Sequence, residues 1–400
     1  MITKYTYIVL FSMLVSCTYT VNIKNAHQGK LIAEYQLKIS DEKRILLDDE
    51  TAPKPPYMQI ITGKNNERIL TFINPYKNAI YFYDYETVAF RRRIAYEKEG
   101  PNGILKLDGY YFINMDSIYV YNYMLMEIAL TDSSAHVKQR ISLCDNQVSL
   151  NNMADNTWTL FYPQYSFSSV NPLSKIQDKL IMTGMSPFGI TDSLIKKFHF
   201  TSCLDVKTGD ITFIHTYPDE LYGTNVNWQH PMFMQPYRVF SPYGEWIYSF
   251  PVSHNVYITS QDSEEYKIKY AGSNIAKTIC SIDDGRKRTP LEVTLAHIVQ
   301  QDLYASLLYD PHRRIYYRFM LKGISDVTLK TSREEKPIIV IIMDEQFNYM
   351  GETVIGKGDK WNWKNSFVTH EGLNIEYISI EDEDEDYMIF KIFTLEKYNQ

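Results

Sequence analysis

In this 400-residue sequence, the stretch richest in groups that recognise other molecules is YGTNVNWQHPMFMQPYRVFSPYGEW, residues 222–246. It carries Trp228, His230, Arg238, Tyr243 and Trp246 among three prolines. Flat aromatic faces beside a guanidinium fork and amide donors suit a sugar or a peptide. An imidazole adds a group that donates or accepts near neutral pH. The same aromatics would serve equally well as core. A second cluster follows the turn Tyr309-Asp310-Pro311: His312, Arg313, Arg314, Tyr316, Tyr317 and Arg318. On a strand, Arg314, Tyr316 and Arg318 share one face, giving either an anion-facing stripe or a solvent-exposed strand face. Trp228, His230, Arg238, Tyr243, Trp246, Arg314 and Arg318 are therefore the candidate ligand contacts.

Other groupings point to turns rather than chemistry. Residues 381–386 are six consecutive acids. Calcium loops alternate ligands with spacers and place a glycine at the bend, so this run reads as the solvated tip of a hairpin. Ser281-Ile282-Asp283-Asp284-Gly285 followed by Thr289 resembles the Asp box of sialidase-type propellers. Its spacing is shifted, Pro290 stands where the closing aromatic belongs, and it occurs once, so an ordinary Asp-Gly turn is the better account. Motifs for a serine hydrolase, a zinc protease, a P-loop or a dinucleotide site are missing. The sequence names no catalytic residue, no metal ligands and no cofactor.

Four cysteines remain to be read. Cys17 ends a short apolar run, Ile8 to Val15, that a basic Lys4 precedes. The run is too short for a bilayer-spanning helix, which needs about 20 apolar residues, and has the form of a secretory signal. Leu14-Val15-Ser16-Cys17 resembles the lipobox of bacterial lipoproteins, which implies cleavage before Cys17 and a lipid on its thiol. The organisation expected is a signal peptide at 1–16, a lipid-anchored linker at 17–30 and one domain over 31–400. Cleavage removes Lys4 and no acid, taking the net charge from −7 to −8. An acidic chain whose longest basic run is Arg91-Arg92-Arg93 lacks the footprint of a nucleic-acid binder. Cys144, Cys203 and Cys280 are too few for a disulfide framework in a chain long enough to bury a core. They read as buried thiols, with one bridge plus a free thiol as the alternative.

The elements that must position these groups are strands. Tyrosine is abundant at 33 residues beside 19 phenylalanines. Aromatic and β-branched residues in short alternating bursts favour strands. Residues 79–94, 117–130, 198–214, 255–268, 338–355 and 374–393 each read as strand, polar Asp- or Asn-bearing turn, strand. Such turns are hairpin chemistry. Further strands fall between them, at 58–62, 68–74, 109–114, 178–184, 244–250 and 314–321. Hairpins recurring every 40 to 60 residues or so read as four-stranded propeller blades. The fold expected is an all-β propeller of seven blades, with six or eight as alternatives; a single β-sandwich is too small. Residues 31–39 are placed to supply the strand that closes the ring against the C-terminal hairpin. Residues 290–309 form either one short helix or a strand with a long connection.

Glu99-Gly100-Pro101-Asn102-Gly103-Ile104, ahead of GYYFINMDSIYVYN, resembles the blade junctions of uncharacterised propeller lipoproteins typical of Bacteroides and relatives. Residues 315–321, 336–355 and 367–379 resemble the closing blades of one branch of these proteins, a domain of unknown function. The resemblance implies a propeller at the cell envelope, anchored by lipid and expected at the outer membrane. It brings no catalytic residues to carry over. The function expected is non-enzymatic binding or scaffolding of a glycan, peptide or envelope protein. The alternative is a glycan-cleaving propeller, which needs a carboxylate pair in its channel.

Overall fold

The computed structural model describes residues 21–144, 162–186, 195–223, 228, 230–282, 289–328, 330–378 and 386–398. The chain enters through β1 (Asn22–Ile23) and the long β2 (Tyr35–Leu46). Five blades follow, each a four-stranded antiparallel meander. Blade 1 is β3 (Met58–Thr62), β4 (Arg68–Asn74), β5 (Ala79–Asp84) and β6 (Phe90–Ala95). Blade 2 is β7 (Gly109–Asn114), β8 (Ser117–Asn122), β9 (Glu127–Thr131) and β10 (Val137–Ser142). Blade 3 is β11 (Ser174–Ile176), β12 (Lys179–Thr183), β13 (His199–Asp205) and β14 (Ile211–Thr216). After the short helix α1 (Asp219–Tyr222), blade 4 is β15 (Tyr237–Phe240), β16 (Trp246–Ser249), β17 (Asn255–Thr259) and β18 (Lys267–Tyr270). The two-residue β19 (Ile279–Cys280) pairs with β1, and helix α2 (Leu291–Gln300) leads into blade 5. That blade is β20 (Leu303–Asp310), β21 (Ile315–Leu321), β22 (Pro337–Asp344) and β23 (Tyr349–Lys357).

Blade 6 is built from both ends of the chain. β24 (Trp361–Val368), β25 (Leu373–Tyr377) and β26 (Tyr387–Lys397) form three strands, and β2 is the fourth, paired with β26 from Tyr35↔Lys397 to Leu46↔Tyr387. The expected ring closure against the C-terminal hairpin is thus observed, by a strand that begins inside the expected 31–39 stretch, at Tyr35, and runs on to Leu46. The blade count is corrected from seven to six. Hairpin spacing overestimates it because the sequence between β10 and β11, and that between β18 and β20, is long, and length alone reads as a further blade. The second contains α2, so the ambiguous 290–309 stretch is a helix followed by a strand.

The tyrosine content follows from how blades pack. Tyr57, Tyr81, Tyr83, Tyr110, Tyr121, Tyr248 and Tyr304 are all essentially inaccessible between sheets. A buried phenol needs a partner for its hydroxyl. Tyr57 donates to the Tyr110 carbonyl at 3.1 Å and Tyr110 to Thr71 Oγ1 at 2.6 Å. Their rings meet edge-on, 5.0 Å between centroids. Cys144, Cys203 and Cys280 are free thiols; Cys203 is buried and the other two are half-buried. Burial raises the Cys203 and Cys144 thiols to about 11, so neither ionises readily.

Of the 17–30 segment, residues 21–30 lie against blade 4 and the connection that follows it, with Tyr270 and His254 among their partners. Val21 pairs with Ser281 through both its amide and its carbonyl. Asn25 donates to the Ser273 and Ala276 carbonyls, and Gly29 to that of Asn274. Residues 1–20, with Cys17, and the acids at 381–385 lie outside the described residues.

Candidate ligand site at the channel mouth

First strands of neighbouring blades touch one another, β15 with β20, β20 with β24 and β24 with β3, so the starts of these strands and the loops before them gather at one end of the propeller's central channel. Here a cavity of about 420 Å³ opens. Its wall draws on Lys54 and Pro55 before blade 1, Ser166 and Ser168 before blade 3, Met232, Gln235 and Tyr237 before and in blade 4, and Arg333 between β21 and β22. A smaller cavity of about 210 Å³ shares Lys54, Arg333, Trp363 and Lys364 with it and adds Glu334 and Lys336. A third space, of about 500 Å³, is lined by β3 and by parts of β7 and β24.

Two of the axial strands are deformed at this mouth. The β20–β21 register slips between Tyr304 and Leu307, and the β24–β25 register between Asn362 and Ser366. Bulges of this kind re-aim side chains and recur beside functional sites. Ser249 Oγ braces the first by donating to the Ala305 carbonyl at 2.7 Å, and Ser366 Oγ the second by donating to the Trp363 carbonyl at 2.8 Å. Trp363, Lys364 and Asn365 are thereby turned out of the blade 6 ladder into the cavity wall.

Glu376 holds this wall from behind. It is buried, and one carboxylate oxygen accepts the Lys54 amide at 2.9 Å. The other accepts Asn362 Nδ2 at 2.7 Å and Asn365 Nδ2 at 2.8 Å. Burial raises its carboxyl above the usual range. Asn365 also donates to the Pro55 carbonyl and accepts from Ser169, tying blade 6 to the loops ahead of blades 1 and 3. Lys54 sits between Pro53 and Pro55 with φ of 63°. That left-handed conformation costs a non-glycine residue roughly 1–3 kcal/mol, and the Glu376 bond to its amide maintains it.

The charged groups on the main cavity wall are all cations: Lys54, Arg333 and Lys364. No ion pair joins any of them to a carboxylate among the described residues; Arg333 reaches only the Met232 sulfur, at 3.4 Å. Partial desolvation in the wall, and then Arg333 nearby, hold the Lys364 ammonium below its ordinary value.

The candidates read from sequence are scattered by the fold. Trp228 is buried, its indole N–H donating to the Leu221 carbonyl at 2.9 Å, and Trp246 is buried under Phe240. His230 caps the turn Pro231–Phe233 by accepting the Met232 amide at 3.1 Å; burial, then Arg333, lower its imidazole. Arg238 is buried over the Phe240 and Trp246 rings, at 4.7 and 5.7 Å, with burial pulling it to about 10. Its Nη2 donates weakly to the Ile181 carbonyl, while Nε and Nη1 have no partner among the described residues. Tyr243 is exposed and meets Arg314 at Glu345, on turns remote from the mouth. Arg314 does not share an exposed stripe with Arg318, which is fully buried between blades 4 and 5. The 222–246 segment does reach the cavity, but through Met232, Gln235 and Tyr237. The residues missed by sequence reasoning are Lys54, Arg333, Trp363 and Lys364. Their one visible signal is a lysine set among Pro53, Pro55 and Pro56.

The family profile for the domain of unknown function DUF4221 matches residues 34–354. The chain belongs to the DUF4221 family. A crystal structure of a DUF4221 member from Bacteroides vulgatus is 18% identical and superimposes with a TM-score of 0.73, over 91% of this chain and 99% of that one. A "Putative exported protein" from Bacteroides fragilis is 10% identical with a TM-score of 0.50, over 91% and 96%. At such identities the likeness is one of fold. No curated protein matches the sequence. The DUF4221 match ends within β23, so Lys54 and Arg333 fall inside the matched span and Trp363, Lys364 and Glu376 beyond it.

Proposed function

We propose that this DUF4221 protein is a non-enzymatic binding propeller of the bacterial cell envelope, held at the outer membrane by lipid on Cys17. Its partner, a glycan, a peptide or a segment of an envelope protein, is taken into the channel mouth. The observation that carries this reading is the mouth itself: two axial strands bulge there, and Glu376 locks a strained Lys54 at its rim. Such local cost at a cavity is the pattern of a pre-organised binding site. The extracytoplasmic address draws on the signal-like start of the sequence and on the name of the Bacteroides fragilis relative. No helix among the described residues is long and apolar enough to cross a membrane.

The test pairs two variants. Cys17→Ala should move the protein from the detergent phase to the aqueous phase; unchanged partitioning rules out the anchor. Met232→Trp fills the mouth and should abolish capture on a glycan array and from solubilised envelopes, with the melting temperature held. Capture that survives the blocked mouth places the binding site elsewhere.

A further inference from the structure

We infer that the ligand of the channel mouth is an acidic saccharide, held through a carboxylate or phosphate group on the sugar. This rests on the binding role proposed above and specifies its chemistry. Lys54, Arg333 and Lys364 converge on one cavity in a protein of net charge −7, where acids are plentiful to pair with cations elsewhere. Arg91 pairs with Asp84, Arg140 with Glu127 and Lys322 with Asp302. At the mouth no carboxylate lies within ion-pair distance of them among the described residues; Lys54 acts on the buried Glu376 behind the wall, while Lys364, lowered by desolvation, is lowered further by the like charge of Arg333. An anion seated between them relieves that repulsion and gains charge-assisted hydrogen bonds. Arg333 offers the planar fork that fits a carboxylate or phosphate, and the two lysines offer point charges.

The rest of the wall fits the sugar that carries the acid. Trp363 and Tyr237 meet edge-on, 6.0 Å between centroids, and both border the cavity. Their apolar faces match the C–H face of a pyranose, and the Gln235 and Asn362 amides supply donors and acceptors for its hydroxyls. The cavity of about 420 Å³ lies within the range of small-ligand clefts. The Asn362 and Asn365 amides are already oriented by Glu376, so little ordering is left for binding to impose.

Titration calorimetry on the purified chain tests this with digalacturonate, N-acetylneuraminic acid and mannose 6-phosphate, against fully methyl-esterified digalacturonate and lactose. At least one acidic probe should bind, more weakly as salt is raised, and the neutral probes should not. Binding of the first two only assigns a carboxylate; binding of the last only assigns a phosphate. Lys364→Gln and Arg333→Gln should each weaken binding about tenfold or more, at an unchanged melting temperature. Neutral probes that bind as well as acidic ones, are blocked by Met232→Trp and are indifferent to both charge substitutions would overturn the acidic ligand and leave the binding role standing. Acidic binding that survives Met232→Trp overturns the site, and failure of every probe to bind overturns the inference.

Discussion

Arg318 lies against the face of Tyr304, its guanidinium carbon 4.0 Å from the ring centroid. The fork around that contact is saturated without an acid. Nε donates to Ser249 Oγ at 3.0 Å, Nη1 to the His254 and Ala271 carbonyls, and Nη2 to the Ser253 and Asn255 carbonyls. A fully buried cation with five neutral acceptors clamps blade 4 to blade 5 through fixed geometry. Burial lowers it to about 10, which leaves it charged at neutral pH.

Substituting Arg318 should therefore be costly. Arg318→Ala takes a donor from four carbonyls, of which that of His254 keeps the Ala271 amide, and opens a cavity; we expect a loss of at least about 3 kcal/mol. Arg318→Lys should recover little of it, since an ammonium cannot reproduce the fork. Urea denaturation of the two variants measures this, and near-wild-type stability for the lysine variant would contradict the clamp.

Lys336 gives a pH signature. It is buried in blade 5, and its ammonium donates to the carbonyls of Ile298, Val299 and Gln301 at the end of α2. Burial lowers it from 10.5 to about 7. The unfolded chain thus holds a proton that the folded chain releases above pH 7, so stability rises with pH. The gain between pH 7 and 9 should be about 2 kcal/mol and should vanish in Lys336→Met. Equal slopes in both proteins would refute the assignment.

Glu376→Ala leaves the Lys54, Asn362 and Asn365 N–H groups without their shared acceptor. A loss of about 1–3 kcal/mol is expected. Hydrogen exchange should quicken at the Lys54 amide in particular, and continued protection there would show that something else holds the turn.

Ring closure predicts all-or-none loss. Removing residues 374–397 deletes nearly all of β25 and the whole of β26, the partner of β2. The truncated chain should lose the single cooperative transition of the parent, and a fragment 1–373 that melts sharply would show that the ring does not need its seam.

The hairpins were legible because alternation of aromatic and polar residues is a local signal, and residues 31–39 were legible as a closing strand for the same reason. The blade number was not, because a long connection and a missing blade look alike in hairpin spacing. Burial was harder still. Arg314 and Arg318 stand four residues apart with similar neighbours in sequence, yet Arg314 ends the turn before β21 and reaches Glu345, while Arg318 lies within β21 and faces the adjacent blade. Only the packing of blade 4 on blade 5 separates them. The mouth was hidden for a related reason: Lys54, Arg333 and Lys364 come from three distant segments and meet through the closure of the ring. The bulge that turns Lys364 outward leaves no mark in the sequence WNWK.

The seam between β2 and β26 also has a mechanical side. Tyr35 pairs with Lys397, so the start of one strand and the end of the other lie together. Tension between these two points would peel the ladder open one pair at a time, the weakest way to load a sheet. A pull from the N-terminus does not reach Tyr35 first. It meets the Val21–Ser281 pair, then the grip of Asn25 and Gly29 on the 273–276 turn, then Leu31 on Asn274 and Glu34 on Met350. The segment ahead of the first blade strand thus acts as a strain relief, passing load to blades 4 and 5 and sparing the β2–β26 seam.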